Sequence, residues 1–343
     1  MKKKVLVSGG AGFIGSNFVK YLFENYPDYE IIVLDALTYA GNTDNIPDNI
    51  KNDSRFDFWY GNVRNSELVN ELVAKSDIVC HFAAETHVAR SIFDNTVFFE
   101  TDVLGTQTIS NAVLKYKDIV ERLIHISTSE VYGTSLTVPM TEEHPLNPAS
   151  PYASAKVGAD RLVYSYWRTY DIPAIIVRPF NNYGPNQHLE KAIPRFITSA
   201  LSNEPLTIHG SGKNTRDWVF VYDVCQAIDR VMHIDLGQVK GEVFNIGTGK
   251  EIDVMTIAEM VLGILNKPKS LITRIGDRPG QVSSHISSTE KSLKTLQWKA
   301  QTDFKDGLTK TIDWYQQNFD WWQKLLWMRH VPIKMRDGSV EYH

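Results

Sequence analysis

Tyr152 and Lys156 stand four residues apart at the start of a helical pattern, so both side chains share one face of a helix. A phenol with a reference pKa of ~10 is a poor base at neutral pH, but an adjacent ammonium stabilises its phenolate. Such a pair can take the proton of a hydroxyl as hydride leaves the same carbon. Tyr-x-x-x-Lys alone is commonplace, and a surface helix start is the alternative reading. Its weight comes from position: the pair follows an apolar run at 123–127, whose end supplies Ser127-Thr128-Ser129-Glu130. That is the carboxyl edge of a strand, where doubly wound folds place their ligands.

A second chemistry-bearing feature is Gly9-Gly10-Ala11-Gly12-Phe13-Ile14-Gly15, which follows a short Val/Leu strand and opens a helix. Glycines permit the tight turn and let backbone N–H groups approach a pyrophosphate at the positive end of that helix. Asp35 ends the next strand, 20 residues beyond Gly15. A carboxylate there accepts bonds from both adenosine ribose hydroxyls and repels a 2′-phosphate, and Ala36 offers no arginine to receive one. The turn is therefore expected to hold NAD rather than NADP, with the positive nicotinamide ring adding to the stabilisation of the Tyr152 phenolate. GxxGxxG spacing, as opposed to GxGxxG, points toward the short-chain dehydrogenase/reductase superfamily.

The elements that must position these groups alternate. Candidate strands cover 5–8, 31–35, 56–60, 78–83, 123–127 and 174–178, and helical patterns cover 14–26, 66–75, 95–116 and 152–170. This rhythm predicts an α/β fold, a Rossmann-type doubly wound parallel sheet. After Pro179 come scattered Gly, Pro and Asn with shorter helices near 191–202, 223–234 and 254–266, expected to build a smaller C-terminal α/β substrate lobe. The expected division is a dinucleotide-binding domain at 1–180 and a lobe at 181–343, some segments of which return to the first domain. Trp314, Trp321, Trp322 and Trp327 read as packing residues.

A 343-residue chain with 43% hydrophobic residues can bury a large core. Its 36 basic and 40 acidic residues leave a net charge of −4 without a basic stripe, which argues against a nucleic-acid partner. No apolar run approaches the ~18 residues that cross a bilayer, and no signal-peptide pattern precedes the glycines, so no membrane partner is expected. The two cysteines, Cys80 and Cys225, fall in apolar patterns and read as core thiols of a cytoplasmic protein.

With these motifs in view, the chain resembles the extended short-chain dehydrogenases that act on nucleotide sugars, most closely the dTDP-glucose and UDP-sugar 4,6-dehydratases. The resemblance covers nearly the whole chain. It rests on the glycine turn, the run 35–42 from Asp35 to Asn42, the run 81–88 containing Ala83-Ala84-Glu85-Thr86-His87, Ser127 to Gly133, and Tyr152-Ala153-Ser154-Ala155-Lys156. Further matches are Arg178 to Pro185, Glu190-Lys191, Arg216-Asp217-Trp218, Asn245-Ile246-Gly247 and Arg278-Pro279-Gly280.

The resemblance implies a tightly bound NAD that is regenerated each cycle. Tyr152, with Lys156 and Thr128, would oxidise the sugar at C4; Glu130 would take the C5 proton; water would leave from C6, and hydride would return there. It also implies cofactor contacts from Gly9, Gly12, Phe13, Ile14, Gly15, Asp35, Thr38, Asn42, Asn62, Val63, Ala83, Ala84, Ser127, Tyr152 and Lys156. A nucleotide diphosphate sugar would be held by Glu85, Thr86, His87, Asn181, Glu190, Lys191, Arg216, Asn245 and Arg278. No metal is implied. A homodimer is, with helices 95–116 and 152–170 pairing into a four-helix bundle through Val97, Phe98, Val103 and Leu104, unless these serve the monomer core. Structural ion pairing with Asp217 is the alternative for Arg216.

Several positions depart from the dTDP-glucose enzymes, which carry Thr-Asp-Glu where this chain has Thr128-Ser129-Glu130. A serine hydroxyl is too weak an acid to replace that carboxylic acid, although it can orient a water or the leaving oxygen. Ala89 replaces a usual aspartate, Asn62 and Asn65 replace frequent aspartates, and Gln281-Val282-Ser283 replaces Gly-His-Asp. These changes favour a UDP-sugar 4,6-dehydratase acting on a substrate such as UDP-N-acetylglucosamine. The alternatives are an enzyme converting a UDP-5,6-ene amino sugar to a 4-keto-6-deoxy sugar, a UDP-glucuronate decarboxylase or 4-epimerase, and a non-catalytic NAD sensor.

Overall fold

Val5, Leu6 and Val7 are all fully buried, the signature of a strand covered on both faces. In the computed structural model, which describes residues 2–276, 284–335 and 337–342, this strand is β1 (Lys4–Ser8) at the middle of a sheet. Its companions are β2 (Glu30–Asp35), β3 (Phe56–Tyr60), β4 (Ile78–His81), β5 (Arg122–Ile126) and β6 (Ala174–Pro179). In chain order there follow β7 (Asn181–Tyr183), β8 (Leu206–His209), β9 (Thr215–Phe220) and β10 (Val243–Ile246). The order across the main sheet is β10-β6-β5-β4-β1-β2-β3, with every pairing parallel.

Alternation along each strand divides the apolar side chains between two layers. Val5, Val7, Ile31, Val33, Cys80 and Ile124 pack with Phe18 and Leu22 of helix Phe13–Asn25 and with Val224 and Ile228 of helix Val221–His233. Leu6, Ile32, Leu34, Val79 and Leu123 face the other way. They meet helices Ser66–Val73, Thr106–Lys115 and Pro151–Tyr170 through Leu72, Ile109 and Val163. Both cysteines are free and buried.

The seventh strand is the main addition to the sequence-based strand set. Its four residues, Val-Phe-Asn-Ile, lie beyond residue 180, yet they pair with β6 from Val243 opposite Ile176 to Ile246 opposite Pro179. The rest of the second half forms a separate layer in which β9 lies between β7 and β11 (Glu251–Asp253), while β8 pairs with β12 (Ile272–Ile275). Helices Ala192–Leu201, Val254–Ile264 and Phe304–Gln317 cover this layer through Phe196, Val261 and Leu308.

Two details differ from the sequence reading. The pattern at 95–116 is not one α-helix: a turn at Thr96–Phe98 leads into a wider π-helical stretch, Phe99–Gly105, before helix Thr106–Lys115. Phe98 and half-buried Val103 serve the chain's own core, against Tyr152 and Gly158 respectively, whereas Val97 and Leu104 are 40% and 49% exposed. In the tail, Trp321 and Trp322 are buried and Trp314 packs beside them, but Trp327 is 64% exposed and does not pack as expected.

A buried ion pair fastens helix Pro151–Tyr170 to the sheet. Arg178 on β6 donates from Nε and Nη2 to the two carboxylate oxygens of Asp160, each at 2.9 Å, and from Nη1 to the Tyr132 hydroxyl at 2.9 Å. Asp160→Ala is expected to cost about 3–5 kcal/mol in urea unfolding, because it strands a buried guanidinium. Burial alone would raise the Asp160 carboxyl, but its bonds to Arg178 and the charges of Arg178 and Arg161 outweigh that and hold it well below the usual carboxylate range. The unfolded carboxyl protonates near ~3.9, so the stability contributed by this pair is full above that pH and declines as pH falls below it. An unfolding free energy unchanged by the substitution would contradict the assignment.

Candidate active site

The turn after β1 closes against the loop after β4. Gly9 has φ +73°, and a Cβ there would lie 2.5 Å from the Ala83 nitrogen; one on Gly15 would lie 2.2 Å from the Gly9 carbonyl oxygen. Only hydrogen fits at either place. From β1 the chain progresses outward to β2 on one side, while β4 lies on the other, so this contact marks the topological switch point, where open α/β sheets bind ligands. Helix Phe13–Asn25 begins here with Gly12 as its N-cap, no capping side chain and no acid in its first turn. Its N-terminal N–H groups and dipole suit a pyrophosphate.

At the end of β2, Asp35 accepts from the backbone N–H groups of Ala11 (2.9 Å) and Leu37 (2.8 Å). Burial raises its carboxyl, and those two bonds oppose the rise. Each oxygen keeps lone-pair capacity for a further donor, and the side chain lines the cleft. A close-fitting glycine cradle and an anchored carboxylate one strand away suit the two ends of an adenosine diphosphate, so the chain's residues fit NAD.

The wall opposite comes from the end of β5. Thr128 caps the short turn Ser129–Tyr132, its Oγ1 accepting from the Glu130 N–H at 3.2 Å. Helix Pro151–Tyr170 starts with Ser150 as N-cap, accepting from the Ala153 N–H, and with Pro151 in its first turn. This start fixes Tyr152 and Lys156 one helical turn apart. Lys156 Nζ donates to the Ile126 carbonyl at 2.8 Å. Its ammonium is lowered by burial, while Asp102 and Asp160 support the charged form.

The Tyr152 phenol lies one helical turn before Lys156. Burial pushes it well above its usual pKa, the carboxylates of Asp102 and Glu130 push the same way, and only the bond with Thr128 opposes them.

Asp102 was missed from sequence. It is 1% exposed, with Oδ1 accepting from the Glu85 N–H at 2.8 Å and no hydrogen-bond partner for Oδ2 among the described residues. Burial raises its carboxyl against the pull of Lys156. The available signal was the stripe Phe98, Asp102, Thr106, Ile109 and Val113, an apolar helix face with one charged member.

On the substrate side, Glu190 accepts from Arg90 Nε (2.9 Å) and the Tyr39 hydroxyl (3.0 Å), and the Arg90 guanidinium lies 4.5 Å over the Tyr39 ring. Burial would raise Glu190, but the charges of His87, Lys191 and His188 and the Arg90 bond hold it down at about 2. Lys191 Nζ donates to the Thr86 carbonyl at 2.8 Å. Glu85 is pushed up to about 7 by burial, against the Thr38 bond that lowers it. Asp217 organises a loop: its oxygens accept from Thr248, Gly249 and Ser287, while neighbouring Arg216 lines the cleft.

One open cleft collects most of the residues named from sequence. Gly9, Gly12, Phe13, Ile14, Gly15, Asp35, Thr38, Asn62, Val63, Ala83, Ala84 and Ser127 line it, as do Thr128, Ser129, Glu130, Tyr152 and Lys156. So do Glu85, Thr86, His87, Asn181, Glu190, Lys191 and Arg216. Two do not. Asn42 caps the turn Thr43–Asn45, accepting from the Asp44 N–H at 2.9 Å, while its own N–H braces the glycine loop at the Ala11 carbonyl. Asn245 is fully buried, its amide donating to the Met140 carbonyl and accepting from the Tyr132 hydroxyl at 2.7 Å. Both side chains are engaged in holding loops. Arg278 lies outside the described residues.

A glycine turn at the switch point of a parallel sheet, with a Tyr-Lys helix beside the end of β5, defines an NAD-dependent extended short-chain dehydrogenase/reductase. A family model described as GDP-mannose 4,6 dehydratase matches residues 6–311. The low-salt glycan biosynthesis protein Agl12 of Haloferax volcanii is 43% identical over 311 residues, covering 91% of this chain and 98% of that protein. The dTDP-glucose 4,6-dehydratase of Mycobacterium tuberculosis is 40% identical over 326 residues, covering 94% and 96%. The crystal structure of dTDP-glucose 4,6-dehydratase from Bacillus anthracis in complex with NAD matches with a TM-score of 0.87 at 39% identity, over 94% of this chain and 99% of that one. The chain belongs to the GDP-mannose 4,6-dehydratase family. It is an enzyme of the NAD-dependent nucleotide-sugar dehydratase type, a lyase.

Proposed function

We propose that this chain converts a pyrimidine nucleoside diphosphate hexose to its 4-keto-6-deoxy derivative. The supporting observation is the single cleft, in which the glycine turn and Asp35 share one space with Thr128, Glu130 and Tyr152 and with Asn181, Lys191 and Arg216. NAD held there by the glycine turn and Asp35 would supply an acceptor for the C4 hydride and its donor to C6. Tyr152, held by Thr128, accepts the C4 hydroxyl proton, and the C4 ketone that results acidifies C5. Glu130 accepts the C5 proton. That proton leaves with the C6 hydroxyl as water; C5 takes a proton from solvent as C6 is reduced, and Tyr152 returns the C4 hydroxyl proton to solvent, so the sugar loses one water and the enzyme and cofactor end unchanged. Arg216 and Lys191 supply cations suited to the diphosphate.

The Mycobacterium tuberculosis and Bacillus anthracis relatives are named for dTDP-glucose, which makes a glucose nucleotide the first substrate to test. Ser129, where the sequence comparison expects aspartate in dTDP-glucose enzymes, supports UDP-N-acetylglucosamine as the second reading. Incubation with dTDP-glucose, UDP-glucose, UDP-N-acetylglucosamine and UDP-glucuronate, followed by mass spectrometry, separates them. Loss of one water from one of the first three is expected. Loss of carbon dioxide from the glucuronate, or no change with any of the four, would overturn the proposal.

A further inference from the structure

His285 is fully buried and joins two walls of the cleft. Its Nε2 donates to the carbonyl of Gly133, the left-handed residue (φ +66°) that ends the turn bearing Ser129 and Glu130. Its own carbonyl accepts at 2.9 Å from the N–H of Asp217, the residue between Arg216 and Trp218 on β9, both of which line the cleft. The residues after it are fixed as well: the Ile286 carbonyl accepts from the Met140 N–H, Ser287 bonds Asp217, and the Ser288 N–H donates to the Met140 carbonyl. Cleft-lining Phe180 packs against the imidazole, centroids 6.1 Å apart. No proton transfer described above uses this ring. Burial favours its neutral form, Glu130 acts against that, and Arg216 and His144 act with it.

Because Nε2 carries the hydrogen given to Gly133, Nδ1 is a bare acceptor, and it has no partner among the described residues. A buried imidazole with one nitrogen unmatched is costly to keep for packing alone. An apolar ring would fill the same space without that cost. What an apolar ring lacks is the donor that grips the end of the Glu130 turn.

We propose that His285 is a positioning residue for the elimination step, tying the turn that carries Glu130 to the strand that carries Arg216. The base is thereby held at a fixed place relative to the anchor of the sugar diphosphate. This rests on Glu130 being the base that takes the C5 proton. A displacement of about 1 Å between base and substrate is enough to slow a reaction roughly a hundredfold.

The test compares His285→Phe, which fills the space without a donor, with His285→Gln, which keeps an N–H able to reach Gly133. Each is incubated with whichever of dTDP-glucose, UDP-glucose or UDP-N-acetylglucosamine the parent dehydrates. His285→Phe is expected to slow water loss by about a hundredfold and to accumulate the 4-keto hexose nucleotide, two hydrogens lighter than substrate, with KM changed less than about threefold. His285→Gln is expected to recover most of the rate. Parental dehydration by the Phe variant, equal loss of oxidation and elimination, or a Gln variant as slow as Phe would each overturn the assignment. A second readout needs no substrate: amide hydrogen exchange across 128–133 should quicken in His285→Phe and stay parental in His285→Gln. Unchanged exchange in the Phe variant overturns the contact even if the parent turns over none of the sugars, an outcome that would separately sink the proposed function.

Discussion

Tyr152→Phe is expected to lower dehydration by at least about a thousandfold while NAD stays bound, because it deletes the one atom proposed to take the C4 proton and little else. The ring itself is a packing element: it meets the edge of Phe98 at 6.2 Å and forms a small buried cluster with Ala155. Phenylalanine keeps those contacts. The residues that fit the adenosine end of NAD, the glycine turn and Asp35, do not depend on the hydroxyl. Product analysis by mass spectrometry, with the retained dinucleotide measured after denaturing the protein, tests both halves. Activity within tenfold of the parent would remove Tyr152 from the reaction. Loss of NAD from the variant would instead make the residue part of the cofactor's hold.

The framework around that residue was largely legible because its signals are local. A buried strand, a glycine turn, an acid at the next strand end and a Tyr-Lys pair one helical turn apart are all short-range patterns with a stereochemical cause. What was hidden depends on distant chain. Val243–Ile246 is too short and too ordinary to announce itself as the seventh strand; only its register against β6 makes it one. Asn42 and Asn245 sit in motif positions, but local geometry turns Asn42 to a cap and draws Asn245 to Tyr132 and Met140. Asp102 and His285 lay in stretches read for other things, and each reaches the site through a partner far along the chain, Lys156 in one case and Gly133 in the other. The direction of the Lys156 ammonium was likewise unreadable, because the Ile126 carbonyl that receives it belongs to a different element.

Glu130→Gln is expected to stop the reaction after C4 oxidation, and the reason lies in how few acids the cleft offers. Among the described residues, its lining contains Asp35, Glu85, Glu130 and Glu190 as carboxyl groups. Asp35 is anchored by two backbone N–H groups on the adenosine side, and Glu85 is bonded to nearby Thr38. Glu190 is fixed as an anion at about 2 by the cations around it, too weak a base to draw a proton from carbon. Glu130 is the one of the four that stands on the turn capped by Thr128, in the same cleft as Tyr152. Ser129, adjacent to it, brings a hydroxyl that cannot serve as an acid at neutral pH. In the proposed reaction Glu130 takes the proton from C5 and gives it to the departing C6 oxygen, ending as the carboxylate it began. Glutamine can do neither. Water loss should fall by at least about a hundredfold while a 4-keto hexose nucleotide, two hydrogens lighter than substrate, still forms. If the variant dehydrates within tenfold of the parent, the acid and the base must both be sought elsewhere, and the elimination assigned to Glu130 fails with them.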